Sequence, residues 1–242
     1  MPYQVILFDL DDTLIDFVAA EAVCLRKIYE QFYNSIDYSF FKTHYHNVNN
    51  ELWSRVGASE NALLPGDVRF MRFKELNARL AYDAEHIEIA DLYEYLLGEE
   101  ADWFPNVKRA IELLHQKGHI LGIITNGLSD SQARKYERLE LNRWFDCFIV
   151  SDEVGYAKPQ KEIFDLALEA IANKHQQPIH IFDKKFMLMV GDSMMNDGQG
   201  AMNFGIKYCH INKNADDLNT PQATLSYHIN SVAQLPAALG YE

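Results

Sequence analysis

Two carboxylates that could do chemistry follow directly after an apolar run near the start of the chain. The run Val5–Phe8 is typical of a buried strand in a parallel sheet. Asp9 and Asp11 come next, and in extended chain their side chains would point the same way. Like charges this close need a counter-ion, and a bound cation is the usual one. The pattern predicts a metal-assisted carboxylate nucleophile with a second carboxyl group as acid and base.

Polar side chains also follow three later apolar strands. They are Thr125 with Asn126, Lys158, and the pair Asp192 and Asp197. In a parallel sheet these strand ends lie at one edge, where open α/β sheets bind their ligands. Taken singly, each group could be ordinary turn chemistry or a solvated charge. Their occurrence together in this order is far more specific than any one of them.

The charges of these groups indicate what the site would bind. Asp9, Asp11, Asp192 and Asp197 would together repel a phosphate if all were ionised. Mg²⁺, which prefers hard oxygen ligands, would offset part of that charge, and Lys158 would offset more. Protonating Asp11 would remove a further negative charge, and the site could then accept a dianion.

The elements that must position these groups alternate between strands and helices after residue 103. Such alternation predicts an α/β fold with a doubly wound parallel sheet. The strand Val5–Phe8 must join that sheet, because alone it has no partner. The later predicted strands begin at residues 120, 148, 187, 207 and 227.

Between the first strand and this alternating part, the chain shows helical periodicity and no convincing strand. The second helix of this block is predicted to begin at Ser39 as its N-cap and to stop at Gly57. The fourth is predicted to stop at Gly98, and the short helix after Asp192 is predicted to begin at Asp197. The domains predicted on this basis are a core of residues 1–15 and 103–242 and an inserted all-helical cap of residues 16–102.

Composition narrows the class of protein. The chain has 242 residues and a formal net charge of −13, from 22 Lys and Arg against 35 Asp and Glu. This balance argues against nucleic-acid binding, which needs clustered basic residues. The three cysteines stand apart, as is typical of a reducing compartment. Because we find neither a signal peptide nor an apolar run of membrane-spanning length, we expect a cytoplasmic protein with no membrane partner.

In this order and spacing, the motifs resemble those of the haloacid-dehalogenase-like (HAD) phosphohydrolase superfamily. The helical insertion after the first motif looks like the C1 cap of that superfamily, and the core would then be its Rossmann-like sheet. The segments Ile124–Gly127 and Val150–Pro159 are also similar to those of bacterial pyrimidine-nucleotide 5′-nucleotidases. The matching motifs are Asp9-x-Asp11-x-Thr13, Thr125-Asn126, Lys158-Pro159 and Gly191-Asp192 followed by Asp197.

The resemblance implies a role for each motif residue. Asp9 would be the nucleophile and form an aspartyl-phosphate. Asp11 would protonate the leaving alcohol and then deprotonate the hydrolytic water. The phosphoryl oxygens would be held by Thr125 and Lys158, and Asn126 would be a further substrate-binding residue. The implied ligands of Mg²⁺ are Asp9, the backbone carbonyl of Asp11, and Asp192, with Asp197 supporting the metal from behind.

Substrate choice would lie in the cap. The candidate contacts to a base are Phe17, Asn49, Trp53 and Arg72, each of which could equally be cap core. The predicted substrate is a small phosphate ester, a pyrimidine nucleoside monophosphate in the first place. Alternatives are a sugar phosphate or phosphoglycolate, a phosphomutase reaction, or nucleotide binding without turnover. A dehalogenase is disfavoured, because Asp11 would have no leaving group to protonate.

Overall fold

The strands form one parallel sheet in the computed structural model, which describes residues 3–56, 63–212 and 225–241. Its strands are β1 Val5–Phe8, β2 Ile120–Thr125, β3 Cys147–Val150, β4 Met187–Gly191, β5 Lys207–Ile211 and β6 Leu225–Ile229. Their order across the sheet is β3-β2-β1-β4-β5-β6, with every pair parallel. The predicted α/β fold with a doubly wound parallel sheet is confirmed.

Helices fill the connections between these strands. The α-helices of the described residues are α1 Phe17–Ile28, α2 Tyr38–Trp53, α3 Pro65–Leu80, α4 His86–Glu100, α5 Val107–Gln116, α6 Ser129–Arg138, α7 Ser151–Val154, α8 Lys161–Lys174, α9 Gln199–Phe204 and α10 Leu235–Ala238. The π-helical turns are Tyr29–Tyr33 and Met194–Gly198, and the 3₁₀ turns are Leu141–Arg143, Ile179–Ile181, Lys184–Phe186 and Val232–Gln234. Among the described helices, none combines the length and the apolar character that a membrane crossing requires.

The alternation of side chains along β1 builds a helical layer on each face of the sheet. Val5 and Leu7 pack into an apolar cluster with α8 and α9. Ile6 and Phe8 point to the opposite face and pack with α5 and the C-terminal helical turns. All four side chains are fully buried. An apolar run without alternation is what a strand covered on both faces requires.

Helices α1 to α4 pack on one another around an apolar cluster of their own, which includes Leu25, Phe41 and Phe73. The chain enters and leaves this helical block through two segments that lie side by side. Asp16 N donates to Asp102 O at 2.9 Å, and Phe104 N donates to Leu14 O at 3.0 Å. We therefore propose that residues 16–102 form the cap and that residues 1–15 and 103–242 form the core, as the sequence predicts.

Two predicted helix boundaries in the cap are wrong. Helix α2 is capped by Asp37 instead of Ser39, because the Asp37 carboxylate accepts a hydrogen bond from Phe40 N at 2.8 Å. Helix α4 runs through Gly98 to Glu100, since the small residue there serves packing: a Cβ at Gly98 would lie 2.5 Å from the Cβ of Arg134 on α6. Gly57, predicted to stop the second helix, lies outside the described residues.

Candidate active site

The carboxyl ends of the strands meet the cap at a cavity of about 360 Å³. Because β1 lies between β2 and β4, the residues that follow these strands lie at one edge of the sheet. The cap closes the opposite side of the cavity. Every residue that the sequence analysis proposed for the site lines it: Asp9, Asp11, Phe17, Asn49, Trp53, Arg72, Thr125, Asn126, Lys158, Asp192 and Asp197.

Asp9 and Lys158 form a buried ion pair at the base of the cavity. Lys158 Nζ donates to Asp9 Oδ1 at 2.5 Å and lies 2.7 Å from Asp197 Oδ1. Burial raises the pKa of Asp9 well above its ordinary value; Asp197 and Asp192 act in the same direction and Lys158 opposes them. The pKa of Lys158 is also raised: burial alone would lower it, but the carboxylates of Asp197 and Asp9 outweigh that effect.

The carboxylates of Asp9, Asp192 and Asp197 gather at the same point. One oxygen from each lies within 4.8 Å of the others, which is an arrangement that could hold a metal ion. Asp192 is fixed by Thr13, whose hydroxyl accepts from Asp192 N at 3.1 Å and donates to Asp192 Oδ1 at 3.3 Å. Gly191 permits the approach of Asp197, since a Cβ there would lie 2.1 Å from Asp197 Oδ2. This set of hard oxygen donors fits Mg²⁺.

The helix predicted to begin at Asp197 starts earlier. The turn Met194–Gly198 already contains Asp197, and Ser193 is its cap, with Ser193 Oγ accepting from Asn196 N at 3.2 Å. Asp197 is fully buried, and its Oδ2 accepts from Ser193 N at 3.0 Å. The predicted start is wrong because the serine side chain satisfies the first free N–H of the turn. Asp197 thereby points inward to Lys158.

The side chain of Asp11 lies apart from the three-carboxylate group. Asp11 Oδ1 accepts from Lys135 Nζ at 2.7 Å, and Asp11 Oδ2 accepts from Gln132 Nε2 at 2.8 Å. The same Gln132 nitrogen donates to Thr125 Oγ1 at 3.0 Å. Lys135 is only 1% exposed, so its ammonium group pairs with Asp11 and not with solvent. Both Asp11 oxygens thus accept hydrogen bonds, so Lys135 balances the charge of Asp11 here, and the predicted proton on Asp11 stays a prediction.

Sequence reasoning missed Gln132 and Lys135, although a weak signal was present. They are three residues apart on the helix that follows Thr125, so they lie on one helical face near that strand end. Polar pairs at this spacing are common on solvated helices, and only the packing of α6 shows that these two are buried. Gly127 leaves room for Gln132, since a Cβ there would lie 2.1 Å from Gln132 Nε2.

Asn126 acts on the backbone of Lys158. Asn126 Oδ1 accepts from Lys158 N at 2.8 Å, and Asn126 Nδ2 donates to Lys158 O at 2.9 Å. Because both polar atoms of its amide are engaged in this way, the side chain positions Lys158. Asn126 also lines the cavity, and its predicted role in binding the substrate stays a prediction beside this positioning role.

The cap side of the cavity is more polar than the sequence indicated. Glu21, Tyr93 and Glu94 line it together with the four predicted cap residues. Arg72 is 3% exposed, and its Nη1 lies 3.4 Å from Glu94 Oε1. The segment Ala19-Ala20-Glu21 is also similar to the bacterial pyrimidine-nucleotide 5′-nucleotidases, but the sequence predicts no role for Glu21 or Glu94, because a single acidic residue on a helix is ordinarily solvated.

Comparisons with known proteins agree with this geometry. The model of a hydrolase family, described as haloacid dehalogenase-like hydrolase, matches residues 3–205. The chain is 33% identical over 219 residues to the pyrimidine 5′-nucleotidase YjjG of Escherichia coli (strain K12), covering 88% of this chain and 87% of that protein. It is 26% identical over 235 residues to the pyrimidine 5′-nucleotidase PynA of Streptococcus pneumoniae (strain ATCC BAA-255 / R6), covering 97% and 94%.

A third relative is known in three dimensions. The chain is 29% identical over 240 residues to YfnB of Bacillus subtilis (strain 168), which is named as a HAD-hydrolase, covering 99% of this chain and 97% of that protein. The crystal structure of YfnB bound to magnesium matches with a TM-score of 0.83 at 29% identity, covering 99% of this chain and 100% of that one. The similarity therefore extends over both the sheet and the helical block.

Proposed function

This chain belongs to the haloacid dehalogenase-like hydrolase family, and on that premise we propose that it is a Mg²⁺-dependent phosphomonoesterase acting on pyrimidine 5′-mononucleotides through an aspartyl-phosphate. The observation that carries the proposal is the position of Asp9, buried at the base of the cavity between Lys158 and two further carboxylates. A buried carboxylate that faces a cavity and a lysine is suited to attack a phosphorus atom and to hold the resulting phosphoryl group.

Each step can be assigned to residues that face the cavity. Asp9 attacks phosphorus, and the bond from phosphorus to the ester oxygen breaks. Asp11 gives a proton to the departing alkoxide and later takes one from the water that attacks the phosphoenzyme, which releases phosphate and regenerates Asp9. Thr125 Oγ and Lys158 Nζ donate to phosphoryl oxygens throughout, and Gln132 and Lys135 hold Asp11 in place.

The metal would be held by Asp9 and Asp192, with Asp197 behind them, because these are the carboxylates that the structure brings within 4.8 Å. A bound Mg²⁺ supplies positive charge that offsets the phosphoryl oxygens and the carboxylates. The YfnB structure, which carries magnesium, supports this choice of metal. The raised pKa of Asp9 gives a physical reason for it, since a buried nucleophile must be ionised to attack.

The substrate is proposed from the relatives and from the cap. Two relatives that align along most of the chain are pyrimidine 5′-nucleotidases. The cap adds polar and aromatic side chains to the cavity, among them Asn49, Trp53 and Arg72, which suit a hydrogen-bonding ring. This combination favours a nucleotide over phosphoglycolate or a small sugar phosphate.

Phosphate release from 5′-UMP and 5′-dTMP by the purified chain tests the proposal. With Mg²⁺ we expect turnover, and Asp9→Asn should lower it by at least about a thousandfold because the amide cannot form the acyl phosphate. Asp165→Asn, at a partly exposed position on α8, is the matched control and should retain activity. Full activity of Asp9→Asn, or turnover that persists in excess EDTA, would contradict the mechanism.

A further inference from the structure

The cap side of the cavity holds buried polar atoms that the described part of the chain does not satisfy. Asn49 Oδ1 and Arg72 Nε are both buried, and neither has a hydrogen-bond partner among the described residues. Both residues line the cavity. An unpaired buried donor or acceptor costs free energy, and a ligand that pairs with it recovers that cost. The two atoms therefore offer one acceptor and one donor to a molecule in the cavity.

The side chain of Arg72, which carries the donor Nε, is held rigidly. The guanidinium of Arg72 lies over the ring of Tyr93, with its central carbon 4.7 Å from the ring centre. Its Nη1 contacts Glu94 Oε1 at 3.4 Å, and the side chain is 3% exposed. Stacking and ion pairing fix the plane of the guanidinium, so the direction of Nε is set before a ligand arrives.

The charged side chains on the cap side of the cavity disfavour a second anionic group on the ligand. Among the described cap residues that line the cavity, the charged ones are Glu21, Glu94 and Arg72, which leaves an excess of negative charge. Glu21 is held in place, because its Oε1 accepts from the hydroxyls of Tyr45 at 2.9 Å and Tyr93 at 2.8 Å. A carboxylate or second phosphate placed here would face this excess at low dielectric.

From these contacts we propose that the cap side of the cavity recognises a neutral pyrimidine ring by its hydrogen-bonding edge and rejects substrates whose far end is anionic. Asn49 Oδ1 accepts from a ring N–H, and Arg72 Nε donates to the neighbouring ring carbonyl. Trp53 and Phe17 supply aromatic surface in the same cavity. This inference rests on the proposed function and adds to it the atoms that select the substrate.

The first test compares UMP with ribose 5-phosphate, which is the same ester without its base. The unmodified protein should have a kcat/KM for UMP at least about tenfold above that for ribose 5-phosphate. Asn49→Leu should lower this ratio by about tenfold or more, because a ring N–H would then lose its acceptor. Asn47→Leu, at an exposed position on the same helix, is the matched control and should leave the ratio unchanged.

The second test uses 5-carboxyuridine 5′-monophosphate, which is UMP with a carboxylate on the ring carbon beside its hydrogen-bonding edge. The unmodified protein should prefer UMP over it by at least about tenfold, and Glu21→Gln should narrow that preference several-fold. The glutamine keeps an acceptor for both tyrosine hydroxyls, so the cap retains its contacts. An equal preference in the unmodified protein, or one that Glu21→Gln does not change, would overturn the exclusion of anions.

The outcomes separate this inference from the proposed function. If UMP and ribose 5-phosphate are hydrolysed equally well, base recognition is wrong and the phosphatase assignment stands. If no ester releases phosphate, the proposed function is wrong. In that case calorimetry with the Asp9→Asn variant still tests base recognition. UMP should bind to this variant more tightly than ribose 5-phosphate does. The double variant Asp9→Asn with Asn49→Leu should bind the two esters equally. An equal loss on both esters in Asn49→Leu would show a structural role and overturn the inference.

Discussion

At the scale of single residues, the candidate site consists of charged side chains that are paired in two groups around two buried lysines. Lys158 joins Asp9 and Asp197, and Lys135 joins Asp11. A buried lysine is costly unless an acidic partner lies within contact distance, so each lysine fixes the carboxylate that it faces. The first group contains the proposed nucleophile, Asp9, and the second contains the proposed acid and base, Asp11. The two functions are thus held by different cations on different elements.

Replacing Lys135 should slow the chemical step. In Lys135→Met the Asp11 carboxylate loses the 2.7 Å contact that orients it, and we expect kcat to fall by about ten- to a hundredfold with a small change in KM. Lys135→Arg, which keeps a cation at this place, should recover part of the loss. The measurement is steady-state phosphate release.

A control for this prediction is Lys161→Met on α8, whose side chain is 57% exposed and which should retain the unmodified kcat. If Lys135→Met raised KM and left kcat unchanged, Lys135 would contact the substrate, and its proposed role in positioning Asp11 would be wrong.

At the scale of elements, the contact between α4 and α6 sets the cap over the core. Gly98 on α4 packs against the side chain of Arg134 on α6, and Arg138 Nε donates to Gly98 O at 3.1 Å. Helix α6 also carries Gln132 and Lys135, so the helix that supports the cap is the one that holds Asp11. A change at this contact is therefore transmitted to the site through one short helix.

Gly98→Ala should destabilise the protein, although alanine is the better helix former. Helix propensity alone would stabilise α4 by about 1 kcal/mol. The new Cβ would lie 2.5 Å from Arg134 Cβ, which is attached to backbone and cannot turn away, and overpacking of this kind costs about 1–3 kcal/mol. We expect a net loss of stability, measured by thermal or denaturant unfolding.

Gly66→Ala is the matched control for this prediction. Its added Cβ would meet only Asp152 Oδ1 at 2.9 Å, at the far end of a side chain that can shift slightly, although its Oδ2 accepts from Ser129 N and Oγ. The two helical glycines should therefore respond differently to the same substitution. A Gly98→Ala protein as stable as Gly66→Ala would show that α4 and α6 can move apart without cost.

At the scale of the whole molecule, His119 connects the two ends of the described chain. The His119 ring makes two hydrogen bonds. In its neutral form, Nδ1 donates to Tyr3 O at 2.8 Å and Nε2 accepts from the Tyr241 hydroxyl at 2.9 Å. Burial lowers the pKa of His119 below its ordinary value of 6.5. The residue thus links the segment before β1 to the C-terminal segment, and its burial favours the uncharged ring.

Stability should fall in mild acid because of this histidine. The folded pKa is lower than the unfolded one, so the unfolded chain takes up the proton first, and stability declines as pH falls below about 6.5 towards the folded pKa. Above that range the contribution of His119 is constant. Urea unfolding from pH 7.5 to 5.0 should show a smaller decline for His119→Gln than for the unmodified chain.

The two proteins differ only at residue 119, so the difference between the two curves isolates His119. That difference should be confined to the region below about pH 6.5. Parallel curves over the whole range would show that protonation of His119 does not affect folding.

The sequence by itself determined the α/β fold and identified candidate residues that line one cavity. Strands that alternate with helices predict a parallel sheet, and the polar groups that follow those strands, Asp9, Thr125, Lys158 and Asp192, are then expected at one edge, where the structure has them. The sequence did not predict where the turn that contains Asp197 begins. That start depends on whether the Ser193 or the Asp197 side chain reaches a free backbone N–H.

Tertiary structure alone decided the partners of the acid and base and the charge of the cap. Gln132, Lys135, Glu21 and Glu94 belong to helices, where the sequence pattern of a polar residue is the same whether it faces solvent or a cavity. Only the packing of α6 and of the cap helices against the strand ends removes these side chains from water. Burial then turns ordinary surface residues into groups that orient Asp11 and favour an uncharged ring.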